Sequence, residues 1–150
     1  MNIQPEGVDD PGVRALFDAA DAYGLSIYPP ENYHALDPAE FRRDDVTLLV
    51  ARDDAGAAVG MAALVESTAE IKRMFVHDRA RGLGVGAALL DAVETLARSL
   101  GILTLRLETG EPQVAAIRMY ERAGYLRCAP FGEYVDDPTS VCMEKTLPVE

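Results

Sequence analysis

Between Arg79 and Ala87 the chain reads Arg-Ala-Arg-Gly-Leu-Gly-Val-Gly-Ala, with glycines at 82, 84 and 86. Glycines at alternate positions let a backbone come close to a ligand and leave its N–H groups pointing outward. A helix starting directly behind them adds the positive end of its dipole. The segment therefore suits an anion, and a pyrophosphate above all. Arg79 and Arg81 set fixed positive charge at its mouth. That charge is local, because the chain as a whole carries a net charge of −11 over 150 residues.

These residues need elements to hold them. Upstream, Ile71, Met74, Phe75 and Val76 mark a strand over Glu70–Val76. Downstream, Leu89, Val93, Leu96 and Leu100 recur along one helical face, and Gly101 stands where a left-handed cap belongs. Leu103–Leu107 alternates as a half-buried strand. A second helix follows, with Pro112 near its first turn, Val114, Ile117 and Tyr120 along one face, and Gly124 at its end. Before this unit the pattern predicts a short strand at Met1–Gln4 and helices over Pro11–Ala22 and Pro38–Arg42. A hairpin of Val46–Arg52 and Val59–Val65 turns at Asp53–Gly56. Tyr125–Cys128 and Val141–Lys145 read as the last strands, and the order predicts a mixed α/β sheet in one domain, 1–150.

Composition narrows the function. Hydrophobic residues make up 49% and charged residues 26%, as in an ordinary globular protein. The negative balance argues against a nucleic-acid partner, which needs a basic footprint. No apolar run approaches the ~18 residues of a membrane span, and Met1–Gly12 has no signal-like pattern, so the expectation is a cytoplasmic protein without a membrane partner. His34 and His77 stand alone, so no metal site is expected. Cys128 and Cys142 do not suggest a disulfide framework.

Three readings of the glycines compete. Gly82-x-Gly84-x-x-Ala87 matches a dinucleotide fingerprint, but a charged turn separates it from its strand and a hairpin precedes it. Glycines that only let a helix pack would leave Arg79 and Arg81 unexplained. The third reading is a family. Arg81-Gly82-Leu83-Gly84-Val85-Gly86 closely resembles the pyrophosphate loop of the GNAT superfamily of acyl-CoA-dependent N-acyltransferases, [QR]-x-x-G-x-[GA]. Ala116 to Tyr125, AIRMYERAGY, resembles that family's later motif, A-x-x-x-Y-x-x-x-G-[FY]. One helix and one strand separate the two motifs, as they do in that family.

The resemblance implies a GNAT-like fold: a mixed, mostly antiparallel sheet with a splayed central strand pair and flanking helices. The splayed strands would be Glu70–Val76 and Leu103–Leu107. It implies acetyl-CoA as donor and transfer of acetyl to a primary amine by direct attack, the acceptor being a small molecule or a peptide. The amides of Arg81, Gly82, Leu83, Gly84, Val85, Gly86 and Ala87 would hold the pyrophosphate. Met74, Phe75 and Val76 would line the pantetheine, with Gln113 and Ala116 adding contacts. Tyr120 corresponds to a tyrosine that protonates the leaving thiolate, and Glu70 to a general base, unless it only pairs with Lys72. Glu70-Ile71-Lys72-Arg73-Met74, Leu107-Glu108-Thr109-Gly110 and Pro130–Tyr134 resemble a sparsely characterised bacterial subgroup, some of whose members are called indole-acetate acetyltransferases. Tyr28, Arg73, Glu108 and Tyr134 would then form the acceptor pocket, with Arg73 either meeting a substrate carboxylate or bridging to Glu108 across the strands. Homodimers are common among proteins of this kind. The other class of function left open is an acyl-CoA-binding module without turnover.

Overall fold

The computed structural model describes residues 1–148. One seven-stranded sheet runs through it, built from β1 (Asn2–Pro5), β2 (Val46–Arg52), β3 (Ala58–Val65), β4 (Glu70–Val76), β5 (Thr104–Gly110), β6 (Leu126–Arg127) and β7 (Ser140–Thr146). The order across the sheet is β1-β2-β3-β4-β5-β7-β6. All neighbours are antiparallel except β4 and β5, which are parallel. Helix α1 (Pro11–Ile27) covers one face, while α2 (Val85–Ser99) and α3 (Val114–Arg122) cover the other. The apolar run of β3 serves both cores: Met61 and Ala63 lie in the α1 core, Ala62 and Leu64 in the α2–α3 core. A strand buried on both faces needs such an uninterrupted run.

Two irregularities in β4 position the site. Its pairing with β5 ends after Glu70↔Arg106 and Ile71↔Leu107, so the two strands part from Lys72 and Glu108 onward. On its other edge, Met61 pairs with Phe75 and Ala63 with Lys72, so Ala62 alone opposes both Arg73 and Met74. This is a β-bulge, and Arg73 sits in it at φ 57°. The extra residue advances the alternation by one. Ile71 and Met74 therefore both belong to the α2–α3 side, and Arg73 is turned toward α1.

Four departures of the elements from the sequence pattern matter most. α1 continues past Ala22 to Ile27, because the first stop signal is Pro29 behind the cap residue Tyr28. Pro38–Arg42 forms a short 3-10 helix rather than an α-helix. β5 extends to Gly110, held by β7 along its whole length. β6 has only two residues, and β7 inserts between it and β5. Among the described residues no helix is long and apolar enough to cross a membrane.

Candidate active site

The parting of β4 and β5 opens a cleft of about 930 Å³. Met74, Phe75 and Val76 wall it on the β4 side, Glu108 and Thr109 on the β5 side, and Gln113, Ala116 and Tyr120 from α3. Its far end is the glycine loop, where Arg81, Gly82, Gly84, Val85, Gly86 and Ala87 all reach the lining. Leu83 does not, since its side chain points to solvent, 73% exposed.

Gly82 and Gly84 take φ of 78° and 79° with open space at the position of a Cβ. Only glycine holds that backbone without strain. The amides from Gly82 to Ala87 donate to no backbone or side-chain acceptor among the described residues, and the first helical bond runs from Ala88 to Gly84. They form a row of unspent donors at the start of α2. Gly86 has a different reason: a Cβ there would fall 2.5 Å from the Met119 sulfur, so it lets α3 pack against α2. Arg81 lies over the Tyr23 ring at 5.4 Å and pairs with Asp78 at 3.2 Å, and its amide, expected among the pyrophosphate donors, is spent on the Asp78 carbonyl at 3.3 Å. Arg79 is a correction, because its guanidinium bonds the Ala58 carbonyl at 3.1 Å and braces β3 instead.

Nearer the middle of the cleft, Tyr120 is 5% exposed and its hydroxyl has no hydrogen-bond partner among the described residues. Burial first, and the charge of Glu108 second, push the phenol well above its ordinary range. Its ring meets Tyr125 edge-on at 6.1 Å. Tyr125 is anchored in turn, donating at 3.0 Å to buried Glu94, which also accepts from Lys145 at 2.8 Å. Glu108 accepts from the Ser140 hydroxyl at 2.7 Å. Burial pushes its carboxyl up to about 7 despite that bond and the nearby charges of His34 and Lys72. Gln113 spends its side-chain N–H on the Tyr28 hydroxyl at 3.0 Å.

The other end of the cleft is closed by residues 28–37 and 130–139. Tyr134 donates to Glu70 at 2.6 Å, and burial and that carboxylate drive its phenol far upward. Glu70 is itself 6% exposed and lies behind Tyr134, outside the cleft lining. Lys72 stands 3.8 Å from Glu70 and over the Tyr134 ring. The cross-strand pair of Arg73 with Glu108 does not form. The bulge carries the guanidinium to α1, where it bonds Asp21 at 2.6 Å and the Leu36 carbonyl at 2.9 Å, over the Phe17 ring. His34, solitary in the sequence, bridges Asp137 at 2.7 Å and Glu133 at 3.2 Å. No short spacing could have revealed that contact, since His34 and Asp137 are 103 residues apart. No three His, Cys, Asp or Glu side chains among the described residues are arranged to hold a metal.

A model of the acetyltransferase (GNAT) family matches residues 13–125. The chain belongs to the GNAT family. Within that family it is 40% identical over 151 residues to an IAA acetyltransferase of Azospirillum brasilense, covering 98% of each chain. A solved structure described as an acyl-CoA N-acyltransferase of Klebsiella pneumoniae is 38% identical, with a TM-score of 0.81 over 97% of each chain. The fold is shared with a GNAT acetyltransferase of Elizabethkingia anophelis that carries acetyl-CoA, at 18% identity and a TM-score of 0.72, over 97% of each chain. GNAT membership sets the reaction class of this chain: acetyl passes from acetyl-CoA to an acceptor nitrogen. The parted strands and the row of free amides fit that donor.

Proposed function

We propose that the cleft acetylates a primary amine by direct attack on the thioester, with Glu108 taking the proton and Tyr120 returning one to the leaving sulfur. The observation that carries this reading is a Tyr120 hydroxyl with no partner among the described residues, in a cleft it shares with a carboxylate that burial pushes up to about 7. An amine of pKa ~10 arrives protonated and must lose a proton before it attacks. A carboxyl raised to about 7 is a better acceptor for it than an ordinary glutamate. The amine lone pair then attacks the thioester carbonyl, an amide of the Met74–Val76 stretch steadies the oxyanion, and the C–S bond breaks as Tyr120 donates its proton; the phenolate so formed takes up the second proton that the nitrogen sheds in becoming an amide.

Acid and base are coupled in this scheme. The ionised Glu108 holds the Tyr120 phenol up. Once Glu108 has gained the amine proton, that charge is gone and Tyr120 becomes the stronger acid as the thiolate departs. Glu70 is assigned a supporting part, because it lies outside the cleft lining, behind Tyr134 and Lys72.

Release of free CoA from acetyl-CoA over a panel of primary amines tests the activity. Product formation that collapses in Tyr120→Phe and in Glu108→Gln supports the scheme. Tight CoA binding with no product from any amine would instead make the chain a binding module.

A further inference from the structure

We infer that His34 is a positioning residue for the acceptor end of the cleft: its imidazole pins residues 131–139 against residues 32–37 and so holds Tyr134 in place. The inference rests on the proposal that this end receives the amine, but the pin itself can be measured without any acceptor.

Both ring nitrogens of His34 face carboxylates, Nε2 at 2.7 Å from Asp137 and Nδ1 at 3.2 Å from Glu133. The Nε2 contact is a hydrogen bond that the ring donates to the Asp137 carboxylate, while the Nδ1 approach to Glu133 is one of distance alone. Asp137 is a firm anchor, since it also accepts from the Thr139 amide at 2.9 Å and the Thr139 hydroxyl at 2.6 Å. Those bonds, with the one from His34, hold its carboxyl well below the ordinary range. The side chain of Asp137 is 6% exposed and that of Glu133 59%, so the first contact is sheltered and the second meets water. The other charged groups facing this cluster are Lys72 from β4, 4.0 Å from Glu133, and Glu108 from β5.

The consequence falls on Tyr134. Its ring meets His34 edge-on at 5.2 Å and Phe131 at 5.3 Å, and its hydroxyl is tied to Glu70. His34 is the member of this box that belongs to the other loop. Losing the imidazole removes the hydrogen bond between the two loops and loosens the wall that Tyr134 forms beside Glu108.

Hydrogen–deuterium exchange of the full chain without ligand tests this, after correction for intrinsic rates. Amides of residues 131–139 should lose about tenfold of their protection in His34→Ala while the sheet is unmoved. His34→Gln, which keeps an N–H donor, should show intermediate protection. With n-butylamine as acceptor, KM should rise about tenfold in His34→Ala, partly recover in His34→Gln, and stay unchanged for acetyl-CoA. Equal loop protection in all three chains would overturn the pin, and an unchanged amine KM with a freed loop would overturn the positioning role. A clear loss of loop protection in His34→Ala, in a chain that acetylates no amine, would support the pin and refute the acetyl-transfer scheme.

Discussion

The side-chain amide of Gln113 donates to the Tyr28 hydroxyl at 3.0 Å, joining the residue that caps the end of α1 to the residue that caps the start of α3. The two helices lie on opposite faces of the sheet, so this bond passes through the gap where β4 and β5 have parted. Gly110 at the end of β5 makes the passage: a Cβ there would stand 1.9 Å from the Tyr28 hydroxyl. Gly110→Ala should destabilise the chain by about 1–3 kcal/mol by forcing Tyr28 aside. In a Tyr28→Ala background the same change should cost less than about 0.5 kcal/mol, a coupling that denaturant unfolding of the four chains would expose. Equal penalties in both backgrounds would separate Gly110 from Tyr28.

Tyr120→Phe keeps the ring that packs against Tyr125 and removes only the unpartnered hydroxyl. Its kcat should fall about 10²-fold while KM for acetyl-CoA stays within about twofold, because the lost interaction belongs to the transition state. Steady-state kinetics decides the point, and an undiminished kcat would remove Tyr120 as the acid.

Glu108 gives two opposite effects of pH. Activity should rise with pH through about 7 as the carboxyl ionises, and Glu108→Gln should lose that limb. Stability runs the other way. The carboxyl titrates at about 4.3 when unfolded and about 7 when folded, so burying its charge begins to cost stability above the first value and costs most above the second. Glu108→Gln should therefore melt a few degrees higher than wild type at about pH 8 and show no advantage near pH 4. A variant that is less stable at both pH values would contradict the burial account.

The charges at the acceptor end bear on which amines fit. Arg73 is committed to Asp21, Lys72 lies between Glu70 and Glu133, and His34 lies between Glu133 and Asp137. None of these three is left free to meet an added carboxylate, and Glu108 would repel one. Pentylamine should accordingly exceed 6-aminohexanoate in kcat/KM by roughly tenfold. A preference for the amino acid would show that Arg73 or Lys72 exchanges partners when acceptor binds.

Local sequence determined the anion end of the cleft and the elements around it. Gly82, Gly84 and the helix behind them are short-range features, since left-handed backbone and exposed helix-start amides are properties of neighbouring residues. The apolar periods along α2 and α3 and the two family motifs were legible for the same reason. Tertiary structure alone decided the rest. Arg73 and Glu108 lie on adjacent strands, yet a one-residue bulge sends the guanidinium to Asp21, and no periodicity announces a bulge. Glu70 is withdrawn behind Tyr134, from a loop 64 residues away, which leaves Glu108 as the carboxylate in the cleft. His34 acquires its partners through a contact 103 residues long. Burial and charge at such points come from whatever the fold packs there, so only the folded chain sets the chemistry of this end of the cleft.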